Sequence, residues 1–213
     1  MLYWKPFKAS PVGLFCRRVL LACGGFFYPF FGKTCGFRKG RHKMLKRGDV
    51  TVYGNHGLCQ VREILVPPFL DEQSDKLYYM MSPATDRNGV LYVPVEGAES
   101  KMRGVVSKKA AQALLNDLEE LEEIEVESGK KADAMISEVI KHNETEEMMR
   151  LVKGLHKARA IRARDGKKLA SMNERHLVTA EKLLYTEMAF SLKTDVAKVK
   201  ERVVETLESL SLA

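Results

Sequence analysis

The stretch Lys46–Ile64, KRGDVTVYGNHGLCQVREI, limits most narrowly what this chain can become. Val50 and Val52 alternate with Thr51 and Tyr53, the period-two pattern of a half-buried strand. Gly54, Asn55 and Gly57 come next; these residue types tolerate positive φ, so a tight connection there has a mechanism. Leu58–Val66 then runs on as a second extended segment. The pattern is that of a β-hairpin opening a small barrel.

The next forty residues repeat that theme. After Pro67-Pro68 and the polar loop DEQSDK, Leu77–Met81 reads as a strand from its aromatics. Asp86-Arg87-Asn88-Gly89 is a turn signal, and Val90–Val93 is the next strand. Pro94 has no N–H and must sit at an edge or end of that strand. Short strands so closely spaced imply an SH3- or Tudor-like barrel.

From Ser107 the periodicity becomes helical. Ser107 reads as the N-cap of a helix with Ala110, Ala111, Leu114, Leu115 and Leu118 inside. Glu119–Glu127, interrupted by Leu121, Ile124 and Val126, reads as a solvated connector. A less distinct helix lies around Ala132–Ile140. Asn143 followed by Glu146 signals the next start, with Met148, Leu151, Val152 and Leu155 in its stripe. Ser171 and Glu174 have capping-box spacing before Leu177, Ala180, Leu184 and Met188. Thr194 is placed to cap a last helix with Val196, Val199, Val203, Leu207 and Leu210 inside. These stripes need one another for burial, so the fold class expected is α+β: a small Tudor/SH3-like β-barrel followed by an all-helical bundle.

Charge divides the chain. The net charge is +7, but residues 1–43 hold nine Lys/Arg and no Asp/Glu, whereas residues 44–213 hold 26 against 28. Residues 44–128 carry nine basic and 15 acidic side chains; residues 129–213 carry 17 and 13. Such asymmetry between halves points to separate partners. The expected organisation is an N-terminal extension over 1–43, a barrel domain over 44–107, a helix and acidic connector over 108–128, and a helical domain over 129–213.

Residues 1–43 hold ten of the 17 aromatics and three of the four cysteines, Cys16, Cys23 and Cys35. Their apolar run, Val19–Phe31, is about 13 residues, against roughly 20 for a membrane-spanning helix. Three readings stand: a start assigned too far upstream, a disordered extension, or a targeting or membrane segment. Lys39-Gly40-Arg41 ahead of Met44 is encodable by purine-rich codons, as a translated ribosome-binding site would be, which favours the first. Cys59 is the sole cysteine elsewhere, and no CxxC pair exists, so neither a zinc site nor a disulfide framework is expected. Reducing cytoplasm suits such a chain.

Catalytic chemistry finds little to work with. His56 and Cys59 lie three residues apart across a turn, with no third residue to orient them, so no enzymatic activity, cofactor or metal is expected. Tyr53, Tyr78 and Tyr79 suit sheet packing better than an aromatic cage. The charged feature is different. From Arg150 to Arg175 there are nine basic residues and two acidic ones. Lys153, Lys157 and Arg164 share a helical face, Arg159 and Arg162 flank it, and Lys167-Lys168 precede a helix N-terminus, where phosphate is favoured. Contacts of this kind give affinity for a nucleic-acid backbone without reading sequence.

Gly48-Asp49, Tyr53, His56-Gly57, Tyr78-Tyr79, Val93-Pro94-Val95 and Met102-Arg103, taken together, resemble the CarD family of bacterial transcription regulators, and "VKGLHKAR" and "AEKLLYTEMA" look like its later helices. The resemblance implies a Tudor-like module, shared with transcription-repair coupling factors, that docks on the β subunit of RNA polymerase. It places Val90, Leu91, Tyr92 and Val93 at that contact, by strand addition. It also implies a helical domain meeting the promoter DNA backbone weakly and without sequence specificity, and modulating the open complex. The chain departs from the pattern twice. Well-known members have an Arg where Tyr92 stands, and a Trp wedge in the region of Glu127–Asp133, where this chain has none; its sole Trp is Trp4. Aromatic stacking is worth roughly 1–3 kcal/mol per base. The alternative is therefore a polymerase-binding adaptor whose helical domain engages another protein. No small-molecule substrate is expected. A membrane tether through residues 1–43, or a hydrolase built on Cys59, has composition alone behind it.

Overall fold

A computed structural model describes residues 44–212, apart from 71–74, 87 and 127–128. The readings of residues 1–43 lie outside the described residues. The first hairpin forms as its pattern dictates. Strand β1 (Val50–Tyr53) leads through a single 3-10 turn, Gly54–His56, into β2 (Gly57–Leu65). Gly57 sits at φ +70, and a Cβ there would come within 2.7 Å of Leu183. Glycine thus serves both the turn's backbone and its close approach to a helix.

Strands β3 (Tyr78–Pro83), β4 (Leu91–Pro94) and β5 (Met102–Arg103) complete an antiparallel sheet in the order β4-β3-β2-β1-β5. The register shifts between Val61 and Glu63, an irregularity of the kind that bends a strand and increases the sheet's twist. The result is a curled half-barrel. Its inner face buries Cys59, Val61, Tyr79, Met81 and Val93. Pro94 ends the edge strand β4, as its missing N–H requires.

Five helices complete the described chain: α1 (Lys108–Asn116), α2 (Lys130–His142), α3 (Thr145–Arg164), α4 (Ser171–Leu192) and α5 (Val196–Leu212). Ser107 caps α1, its Oγ accepting from Ala110 N at 3.2 Å. One core gathers Ala111, Leu115 and Leu118 with the stripes of the other four helices. Four local expectations are corrected. Asn143 does not start α3; it ends α2 in the left-handed region at φ 52, and Glu144 is the N-cap of α3. Ser171 is the first residue of α4, with Ala170 as N-cap, and Glu174 pairs with Arg159 instead of closing a capping box. Residue 196 opens α5, and Val196 and Leu210 are exposed rather than inside. The acidic stretch is not merely solvated. Leu121, Ile124 and Val126 pack onto the helical core, and Ile124 N donates to Arg150 O at 3.2 Å, so it runs as a strap along α3.

The sheet and the helices meet at a buried charge pair. Arg103 on β5 donates from Nη1 and Nη2 to the two Glu187 oxygens, at 2.6 and 2.7 Å. Glu187 on α4 is 1 % exposed and also accepts from Val106 N at 3.0 Å. Arg103 Nε donates to Asn143 O at 2.7 Å, and Asn143 Nδ2 donates to Gly54 O at 2.9 Å. The hairpin turn, the last strand, the end of α2 and α4 are thereby tied at one point.

Candidate functional site

Two surfaces carry the residues that the sequence singles out. The first is the free edge of β4. Val95 N donates to Leu77 O at 3.0 Å, and the register pairs Tyr79 with Val93, Met80 with Tyr92 and Tyr78 with Pro94. In an antiparallel ladder, hydrogen-bonded and non-bonded pairs alternate. The Val93 and Leu91 peptides therefore face β3, while Tyr92 and Pro94 direct their main-chain polar groups outward. Tyr92 offers both N–H and C=O; Pro94 offers C=O alone. Val90, just ahead of the strand, is 54 % exposed. Among the described residues no strand lies beyond β4. The opposite edge, β5, is two residues long, and Arg103 is committed to the helices.

Sequence reasoning missed the neighbour of this edge. Phe69, in the loop after β2, is 64 % exposed and meets the rings of Tyr92 and Tyr78 edge-on, with centroids at 5.4 and 6.3 Å. A lone Phe following two prolines carries no periodicity, so nothing local marked it. Tyr53, Tyr78 and Tyr79 form no cage. Tyr53 stacks on His56, Tyr79 lies in the sheet core, and Tyr78 joins Phe69 on the other face. Cys59 is fully buried, and desolvation pushes its thiol up to about 11, far from a reactive thiolate.

The second surface is a groove of about 870 Å³ between α3, α4 and α5. Lys153, Lys157, Arg159 and Arg164 line it; Arg162, Lys167 and Lys168 lie outside, at the end of α3 and in the loop after it. Much of the basic cluster already has work. Lys153 donates to Leu118 O, Glu119 O and Leu121 O at 2.7–3.0 Å, holding the strap. Lys157 pairs with Glu123, and its hydrogen bond holds that carboxyl below the usual range. Arg159 pairs with Glu174. Lys167 and Lys168 are exposed beside the start of α4.

Deeper in the groove His156 meets Glu181 at 2.7 Å, with Lys200 3.9 Å from the other carboxylate oxygen. Burial pushes the Glu181 carboxyl up, but His156, Lys200 and Arg159 more than offset it and leave it lowered. No Ser, Thr or Cys lines the groove. Among the described residues no cluster of three or more His, Cys, Asp or Glu could hold a metal, and no helix is long and apolar enough to cross a membrane.

Comparison with known families bears on the half-barrel as a whole. Residues 45–106 match the family model described as the CarD-like/TRCF RID domain. The match encloses all five strands and ends before α1, so the chain carries a CarD-like domain of the RNA-polymerase-interacting kind. No curated protein matches the chain.

Proposed function

We propose that this chain, with its CarD-like RNA-polymerase-interacting domain, is a bacterial, cytoplasmic transcription regulator and not an enzyme. Its half-barrel is a Tudor-like module that takes an extended segment of the polymerase β subunit onto the Val90–Val93 edge. The carrying observation is the outward Tyr92 peptide on an unpaired edge inside the matched domain. Strand addition needs such groups: main-chain hydrogen bonds supply affinity and alternate side chains supply specificity.

The helical domain then meets upstream promoter DNA through its basic cluster and shifts the closed-to-open equilibrium by binding one state better than the other. Arg162, Arg164, Lys167 and Lys168, grouped at the end of α3 and in the loop after it, carry this contact. Lys153, Lys157 and Arg159, further back along α3, also hold the strap and the start of α4 in place. Replacing Arg164, Lys167 and Lys168 together by Ala should weaken promoter-complex formation and flatten its salt dependence by about three phosphate contacts, while polymerase binding survives.

One observation favours a second reading, an adaptor whose helical domain holds another protein. The groove exposes Ile161, Val178 and Leu210 between cations that are already paired, a surface better suited to an amphipathic helix than to phosphates. DNA affinity insensitive both to salt and to the triple substitution selects this reading.

A further inference from the structure

The face beside the β4 edge bears on what kind of strand can be added there. Register places Glu63, Leu65, Tyr78, Met80, Tyr92 and Pro94 on the outer face of the sheet. Of these six only Glu63 is charged, and it stands on β2, two strands in from the edge. Phe69 meets the rings of Tyr78 and Tyr92 edge-on, and both tyrosines are half-buried. The edge shows apolar Val90 just ahead of the strand and aromatic Tyr92 and Pro94 on it, with no Lys or Glu among them. Solvent-facing edges normally carry charge to prevent pairing; this one is blunted at Pro94 alone.

We infer that Phe69, Tyr78 and Tyr92 form a specificity ridge that selects, on the incoming polymerase segment, an uncharged apolar side chain opposite Tyr92. The inference rests on the strand-addition reading and adds to it the chemistry of the partner residue. A residue paired with Tyr92 in an added strand projects its side chain on the same face as Tyr92, a few ångströms from that ring. An aliphatic or aromatic group there gains contact with Tyr92 and Phe69. A carboxylate there would lose water against the rings of Tyr92 and Phe69, which carry no positive charge to replace it. Pro94 offers no donor, so two-way pairing centres on Tyr92 and the added strand is short.

The test is affinity of the full-length chain for purified RNA polymerase core enzyme, measured at about 0.1 and 0.5 M salt. Four chains are compared: wild type, Tyr92→Phe, Tyr92→Arg and Phe69→Ala, each checked for an unchanged melting curve. Phe69 is largely exposed, so its removal spares the fold. The expected result is wild-type affinity changing less than about threefold with salt, Tyr92→Phe within about twofold of wild type, and Phe69→Ala and Tyr92→Arg weaker by about tenfold. Polymerase binding that is unaffected by Phe69→Ala and Tyr92→Arg overturns the ridge and leaves the RNA-polymerase-interacting assignment standing. Tighter or strongly salt-dependent binding by Tyr92→Arg shows a carboxylate opposite and also overturns it. No polymerase binding by the wild-type chain removes the strand-addition reading and the ridge together.

Discussion

Gly154 shows how far a single position can reverse an intrinsic preference. It lies in the middle of α3, where Gly costs about 1 kcal/mol relative to Ala in an exposed helix. Gly154→Ala should nevertheless destabilise the protein. A Cβ there would fall 1.9 Å from Ile124 O, which is backbone and cannot swing aside. The strap must lift, and overpacking of this kind costs about 1–3 kcal/mol in chemical denaturation. Cys59 makes a second case. Its folded pKa, about 11, stands above the ordinary 9.0, so the stability tied to this thiol is fully present below pH 9 and is lost as pH rises towards 11. Urea midpoints should therefore fall more steeply over that range in wild type than in Cys59→Ala. Equal slopes would show that the thiol titrates normally.

At the level of elements, the cations of α3 divide by what they touch. Lys153→Met removes three charge-assisted bonds to the strap and should cost about 2 kcal/mol of stability. Lys167→Ala and Lys168→Ala, on exposed loop positions, should stay within about 0.5 kcal/mol. If all three behave alike, the strap is not held by Lys153. This division was invisible in the spacing. The periodicity of Val50–Tyr53 and the turn chemistry of Gly54–Gly57 made the first hairpin legible to within a residue, because both are local. Asn143 misled because its side chain answers a tertiary demand: its amide reaches Gly54 O, and the backbone accepts a left-handed turn to put it there. The strap was obscured by its glutamates, although a Gly within the apolar-striped α3 was a signal of close backbone approach. The β4 strand and its Pro94 were readable; the ridge over them was not, since Phe69 reaches it from a loop.

Across the whole molecule, the described sheet and helices form one compact unit, and the Arg103–Glu187 pair lies at their meeting point. Breaking a buried pair leaves an uncompensated charge and costs about 3–5 kcal/mol. Glu187→Ala should lose about that much, and unfolding should remain a single transition if the two halves depend on each other. Under the proposed function the pair also fixes the basic cluster relative to the polymerase-bound edge, so partial rescue by Glu187→Gln should restore promoter effects in step with stability.

Under the proposed function the β4 edge receives a strand of RNA polymerase through the Tyr92 peptide. The most direct measurement compares polymerase affinity for full-length wild type, Tyr92→Ala and Tyr92→Pro. The proline removes one outward N–H while leaving the bonds to β3 intact, and β4 already ends in a proline. The expected result is an unchanged fold by circular dichroism and a loss for Tyr92→Pro at least about tenfold beyond that of Tyr92→Ala. Equal affinity for the two variants, with the fold intact, would contradict it.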